Sequence, residues 1–266
     1  MKNIYYRLIT IARRAKAFFS QAGWSGNYAT WESANAQCTG YDADNILEKV
    51  KTATLLVKNG KAKYERDSVL FDEIEYSWPL LAALMWIANQ QKNVLSVVDF
   101  GGALGSSYFQ NKSFLDSLNR LSWNVVEQPS FVKEGIASIQ DDHLRFFYTV
   151  DEALLNTEKV DVLLLSCTLP YIEKPYDLLD KLFSYKIPYI IVENTYFNYE
   201  ERDRICIQKV PKSIYEASYP CWFLSYNSIL ARFEEKYSIV AEYHNDSVIF
   251  LDGRKIIYKG FIARIN

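Results

Sequence analysis

The stretch Val94 to Ser107, VLSVVDFGGALGSS, constrains the fold of this 266-residue chain more than any other. Val94 to Phe100 reads as an apolar strand, and the glycines at 101, 102 and 105 read as a tight turn that opens a helix. Glycine lacks a Cβ and tolerates positive φ, so such a turn lets the backbone come close to a bound ligand. The glycines miss the G-x-G-x-x-G spacing that seats a pyrophosphate at a helix N-terminus. No Lys or Ser/Thr stands in P-loop register either. Asp99, two residues before Gly101, places a carboxylate at the strand end. An acid before a D-x-G-x-x-x-G turn suits a cationic, phosphate-free ligand.

Downstream, alternation is regular. Strands are expected at 94–100, 123–127, 144–148, 160–166, 189–193, 238–243 and 261–265, the early ones separated by helices at 107–121, 130–139, 151–155 and 176–184. Strands alternating with helices predict an α/β fold with a doubly wound, mostly parallel seven-stranded sheet. The turn signals His244-Asn245-Asp246 and Asp252-Gly253 predict an antiparallel C-terminal hairpin. Upstream, residues 1–90 read as a helical N-terminal extension without a strand series, with helices near 31–34, 44–57 and 76–89, the last apolar nearly all round and so expected to be buried. Residues 91–266 form the Rossmann-like domain, with an insertion at about 195–236 that is long for one crossover. Part of it serves either as a lid or substrate wall or as a structural loop.

The net charge of −2 argues against an extended nucleic-acid surface. The four cysteines have no CxxC pair and read as free thiols of a cytoplasmic protein; with two histidines in the chain, no metal centre is expected. No apolar run reaches about 18 residues, so no transmembrane segment is expected. Residues 2–20 mix Arg and Lys with Ile, Leu and Phe and lack the apolar core of a signal peptide. They read first as a helix packed on its own domain and second as a peripheral contact with an anionic membrane. The 20 Tyr, 15 Phe and 6 Trp suit either a sugar-stacking surface or an aromatic core.

Around the turn, each strand end offers candidates. Glu127, in N-V-V-E-Q, is set to accept both hydroxyls of a ribose diol, with Gln128 beside it. Tyr148 ends the third strand, where an adenine ring would lie. Ser166 and Tyr171 leave the fourth strand, and Glu193 ends the fifth. Glu193, then Tyr171 and His143, are the candidate bases for taking a proton from a hydroxyl acceptor. Glu65, Arg66 and Asp67 read as a solvated charge cluster in preference to one reaching over the site.

Together, Asp99 with Gly101, Gly102 and Gly105, the strand ending at Glu127, and the segment from Ser166 to Pro175, SCTLPYIEKP, resemble the class I S-adenosylmethionine-dependent methyltransferases. The matching pattern in that segment is S-x-x-L-x-Y-[IL]-x-x-P. Trp24/Gly26/Tyr28, Tyr64–Ser68 and Tyr215–Pro220 add similarity to a little-characterised bacterial methyltransferase group, often encoded near surface-polysaccharide genes. The resemblance implies S-adenosylmethionine as cofactor, held by Asp99, Gly101, Gly102, Gly105, Glu127, Gln128, Tyr148 and Ser166, and methyl transfer to a small or sugar-like acceptor. One departure is Ala103, where the common turn has glycine; alanine there is expected to keep a negative φ. The alternatives are a non-catalytic binding or scaffold protein on the same fold, and a nicotinamide-dependent sugar oxidoreductase.

Overall fold

The computed structural model describes residues 23–39, 44–198, 200–211, 214 and 217–266. The N-terminal helix expected at 2–20 lies outside these residues.

The elements run β1 (Gly23–Tyr28), α1 (Trp31–Asn35), α2 (Asp44–Lys58), β2 (Tyr64–Arg66), β3 (Val69–Phe71), α3 (Trp78–Gln90), β4 (Val94–Phe100), α4 (Ser106–Leu115) and β5 (Arg120–Val126). They continue with α5 (Pro129–Glu134), which runs into a π-helical turn at Gly135–Ile139, then β6 (Leu144–Phe147), α6 (Val150–Leu155), β7 (Val162–Ser166), α7 (Pro175–Ser184) and β8 (Tyr189–Thr195). β9 (Arg204–Lys209), β10 (Ser218–Phe223), α8 (Tyr226–Glu234), β11 (Tyr237–Leu251) and β12 (Arg254–Ile265) complete the chain.

Seven strands form one sheet in the order β11-β12-β8-β7-β4-β5-β6. β8, β7, β4, β5 and β6 are parallel, and β12 runs antiparallel to both β8 and β11. This is the doubly wound sheet with an antiparallel C-terminal pair that the sequence predicts. Its central strands are apolar because both faces are covered. Leu95, Val97, Val125, Leu164 and Ile191 pack with α2 and α3 on one side; Val98, Leu163, Leu165 and Ile190 pack with α7 and α8 on the other. The chain steps outward from β4 to β6, then returns across the sheet to β7. The switch point therefore lies between the carboxyl ends of β4 and β7, where open α/β sheets bind ligands.

Three details differ from the sequence expectation. The N-terminal region contains strands: β1 pairs with β9, and β9 with β10, in a three-stranded sheet shared between this region and the insertion, while β2 and β3 form a hairpin. Strands of three residues carry too little alternation to read, and the partner of β1 lies far along the chain. α3 is buried on one face only; Trp78 and Trp86 are exposed at its surface, Trp78 against Tyr76 and Phe114 and Trp86 edge-on to Tyr189. Finally, 244–246 is no turn. β11 continues through it with a bulge between His244 and Val248, and the chain reverses only at Asp252-Gly253.

Leu164 is wholly buried in the central layer. Leu164→Ala is expected to cost about 2–5 kcal/mol, read as a lower urea midpoint with an unchanged denaturant slope.

Candidate functional site

The turn after β4 is held from three sides. The Gly101 N–H donates to the Val126 carbonyl (2.9 Å), tying it to β5. The Thr168 hydroxyl, arriving from β7, donates to the Phe100 carbonyl (2.9 Å). The Ala103 N–H donates to Glu127 Oε1 (3.2 Å). The glycines are needed by the protein's own packing. A Cβ on Gly101 would lie 2.6 Å from Thr168 Cγ2, and one on Gly102 would lie 2.5 Å from the Asp99 carboxyl.

Ala103 corrects the expectation of a negative φ: it is left-handed, at +49°. That conformation costs an alanine about 1–2 kcal/mol. It has company, because Cys167 (φ +52°) after β7 and Asn194 (φ +46°) near the end of β8 are left-handed too. Such strained residues cluster at functional sites, and these three stand at the carboxyl ends of neighbouring strands.

Carboxyl groups dominate the chemistry around the turn. Asp99 is wholly buried beneath Gly102. Its Oδ2 accepts from the Trp123 indole (3.0 Å), and its Oδ1 has no hydrogen-bond partner among the described residues. Burial pushes its carboxyl up to about 7, with the Glu127 charge adding to the effect. Glu127 accepts from the Ala103 and Gln128 amides, the latter at 2.6 Å; burial raises its pKa while these amides pull it back.

Glu65 corrects another expectation. It is 1% exposed, not solvated, and accepts from the hydroxyl of Ser106, the first residue of α4, and from the Ser68 amide (3.3 Å). Burial lifts its carboxyl to about 7. The β2–β3 hairpin thus reaches over the turn. Arg66 pairs with Glu75 (3.2 Å) instead of neutralising it. No lysine or arginine among the described residues forms an ion pair with Asp99, Glu65 or Glu127.

The other sequence candidates separate. Gly105 caps α4 in the left-handed region at φ +91°. Gln128 is the N-cap of α5, Tyr148 is 43% exposed just past β6, and Ser166 ends β7. All lie on the carboxyl edge of the sheet. Tyr171 does too, half-buried among Tyr196 and Tyr219, with its hydroxyl donating to Gln208 Oε1 on β9 (2.7 Å). Glu193 pairs in register with Ser166. His143 does not join them. It precedes β6, and its Nδ1 stands 3.2 Å from the Leu121 carbonyl, beside the amino ends of β5 and β6. A parallel strand puts the residue before it at the edge opposite the site.

Sequence reasoning misses Thr168, Trp123 and Ser106. All three fall inside or beside the motifs around the turn, but only contacts between distant segments separate them from ordinary core and loop residues.

No family model and no curated protein matches the sequence. Solved structures do show similarity. The N-terminal domain of EvdMO1, studied in the presence of S-adenosylhomocysteine and D-fucose, is 10% identical over 84% of this chain and 98% of that one, with a TM-score of 0.47. The 1,6-didemethyltoxoflavin-N1-methyltransferase of Burkholderia thailandensis, bound to 1,6-didemethyltoxoflavin and S-adenosylhomocysteine, is 12% identical over 82% and 90%, TM-score 0.47. The magnesium protoporphyrin IX methyltransferase of Synechocystis, with bound S-adenosylmethionine, is 12% identical over 86% and 100%, TM-score 0.45.

The raised carboxyls make stability depend on pH. Between about pH 4 and 7 the folded chain keeps protons on Asp99 and Glu65 that the unfolded chain has lost, so stability falls as pH rises through this window and levels above it. The melting temperature of the ligand-free protein is expected to drop from pH 5 to pH 8, and Asp99→Asn to flatten that slope. Equal slopes in scanning calorimetry would refute the assignment.

Proposed function

We propose that the chain binds S-adenosylmethionine at the β4 turn and transfers its methyl group to a small acceptor. The observation that carries this reading is the set of three carboxyls at one turn without a cation, Asp99 and Glu65 buried and Glu127 half-buried. Buried carboxylates without partners are costly, and a positively charged ligand offsets that cost. A sulfonium that also carries an ammonium group is such a ligand. The same carboxyls disfavour a pyrophosphate, which would have to sit at the α4 N-terminus where Glu65 already binds Ser106. This argues against a nicotinamide dinucleotide.

In this arrangement Glu127 accepts hydrogen bonds from the ribose diol, the Gly101–Gly105 backbone borders the methionine portion, and Gln128 and Tyr148 flank the base. Asp99 acts from beneath Gly102, supplying negative charge and shaping the turn. The cofactor supplies an activated methyl group. Ser166 and Tyr171 border the reacting centre, so the protein's contribution is alignment for in-line attack. Glu193 is the group to take the acceptor's proton.

The acceptor side is the three-stranded sheet, which carries Tyr219, together with half-buried Tyr171, joined to it by the Tyr171–Gln208 bond and backed by buried Tyr196. Aromatic rings with a few hydrogen-bonding groups suit a sugar. A saccharide acceptor, as in surface-polysaccharide synthesis, is the finer form of the proposal, with the protein working in the cytoplasm.

Isothermal titration with S-adenosylhomocysteine tests the cofactor. Binding of S-adenosylmethionine, whose sulfonium S-adenosylhomocysteine lacks, is expected to tighten from pH 6 to pH 8, because a cationic ligand favours ionised carboxylates and ionisation costs less at higher pH. Glu127→Ala is expected to weaken it about 10- to 100-fold, the scale of losing a charged hydrogen bond. No heat and no change in melting temperature with S-adenosylhomocysteine or S-adenosylmethionine would overturn the proposal, and a response to NAD alone would favour the oxidoreductase.

A further inference from the structure

Glu193 ends up in a more elaborate setting than any other strand end. It is 3% exposed. The Tyr243 hydroxyl donates to its Oε2, and the Asn245 amide donates to its Oε1 (3.1 Å) while also donating to Asn194 Oδ1 (2.9 Å). Three backbone irregularities converge to make these contacts. β11 bulges between His244 and Val248, just where Asn245 stands. The β8–β12 register slips between Lys259 and Phe261, and Asn194 is left-handed at that slip. Gly260 sits in the same slip, and a Cβ there would lie 2.4 Å from the Tyr243 ring, so its bare backbone admits the ring. Bulges re-aim side chains and gather beside active sites.

We infer that Tyr243 and Asn245 are positioning residues that hold Glu193 as the proton acceptor for methyl transfer to a hydroxyl. This rests on the methyltransferase reading above. As the acceptor oxygen bonds the methyl carbon and the carbon–sulfur bond breaks, the bonding pair stays on sulfur. The hydroxyl proton passes to a Glu193 oxygen. A carboxylate and a sulfonium become a carboxylic acid and a thioether, so charge balances. Tyr243 and Asn245 bond different oxygens of Glu193.

The groups facing Glu193 are Tyr243 and Asn245 from β11, Asn194 from β8, Ser77 at the start of α3, and the Cys167 thiol after β7. Burial raises the Glu193 carboxyl and the Tyr243 and Asn245 bonds lower it. Removing either donor therefore raises it further.

Carbon-13 NMR of protein labelled at glutamate side-chain carboxyls reads this directly, with the Glu193 signal identified by its loss in Glu193→Gln. Tyr243→Phe and Asn245→Ala are each expected to move its titration upward by about half a unit or more. Gly260→Ala, which displaces the Tyr243 ring but keeps its hydroxyl, is expected to match Tyr243→Phe. Tyr243→Phe, lacking only an oxygen, serves if the Gly260 variant does not fold. A Glu193 titration unmoved in folded Tyr243→Phe and Asn245→Ala, with S-adenosylhomocysteine still binding, overturns the inference alone. Loss of that binding in the unsubstituted protein overturns the methyltransferase reading.

Discussion

Withdrawal of carboxyl groups from water without cationic partners is the constraint around which this molecule is arranged. Buried Asp99 and Glu65 meet half-buried Glu127 at one turn, and buried Glu193 stands two strands away in the sheet. Each is held by neutral donors: an indole, backbone amides, hydroxyls or a carboxamide. Neutral donors fix a carboxyl's place while leaving its charge uncompensated, so the site keeps an appetite for positive charge.

Strain follows the same edge. Ala103, Cys167 and Asn194 hold left-handed backbones at the ends of β4, β7 and β8. The sheet beneath them is regular and apolar, with parallel registers continuous across β7, β4, β5 and β6. Rigidity below is what lets irregularity persist above. Thr168 shows the coupling, since its hydroxyl ties the end of β7 to the end of β4 and its methyl fills the space that Gly101 leaves open.

The parallel sheet is legible in the sequence because each strand is a local apolar run bounded by turn signals; Val94–Phe100 falls on its observed bounds. The carboxyl-edge candidates are legible for the same reason, since a strand's end locates the site. What fails to show is set by distance in the chain. Glu65 looks like one charge among several in Y-E-R-D-S, and only its contact with Ser106, 41 residues on, reveals that it is buried. Conformational preference alone argues for a negative φ at Ala103, whereas the Glu127 carboxylate bonded to its amide helps hold the disfavoured backbone. His143 has the chemistry of a base, and strand direction removes it from the site. Asn245 resembles a turn residue because a bulge and a turn draw on the same residue types.

The sheet shared by β1, β9 and β10 has a consequence for how the chain is made. The Arg204 side chain binds the Gly26 carbonyl 178 residues earlier, and β9 pairs with β1 over the same span. On a ribosome, β1 has no partner until β9, some 178 residues later, has been synthesised. For that interval the parallel core can assemble from nearby segments while the three-stranded sheet stays open. Closing so long a loop is slow, so the surface proposed to select the acceptor is completed after the surface proposed to hold the cofactor.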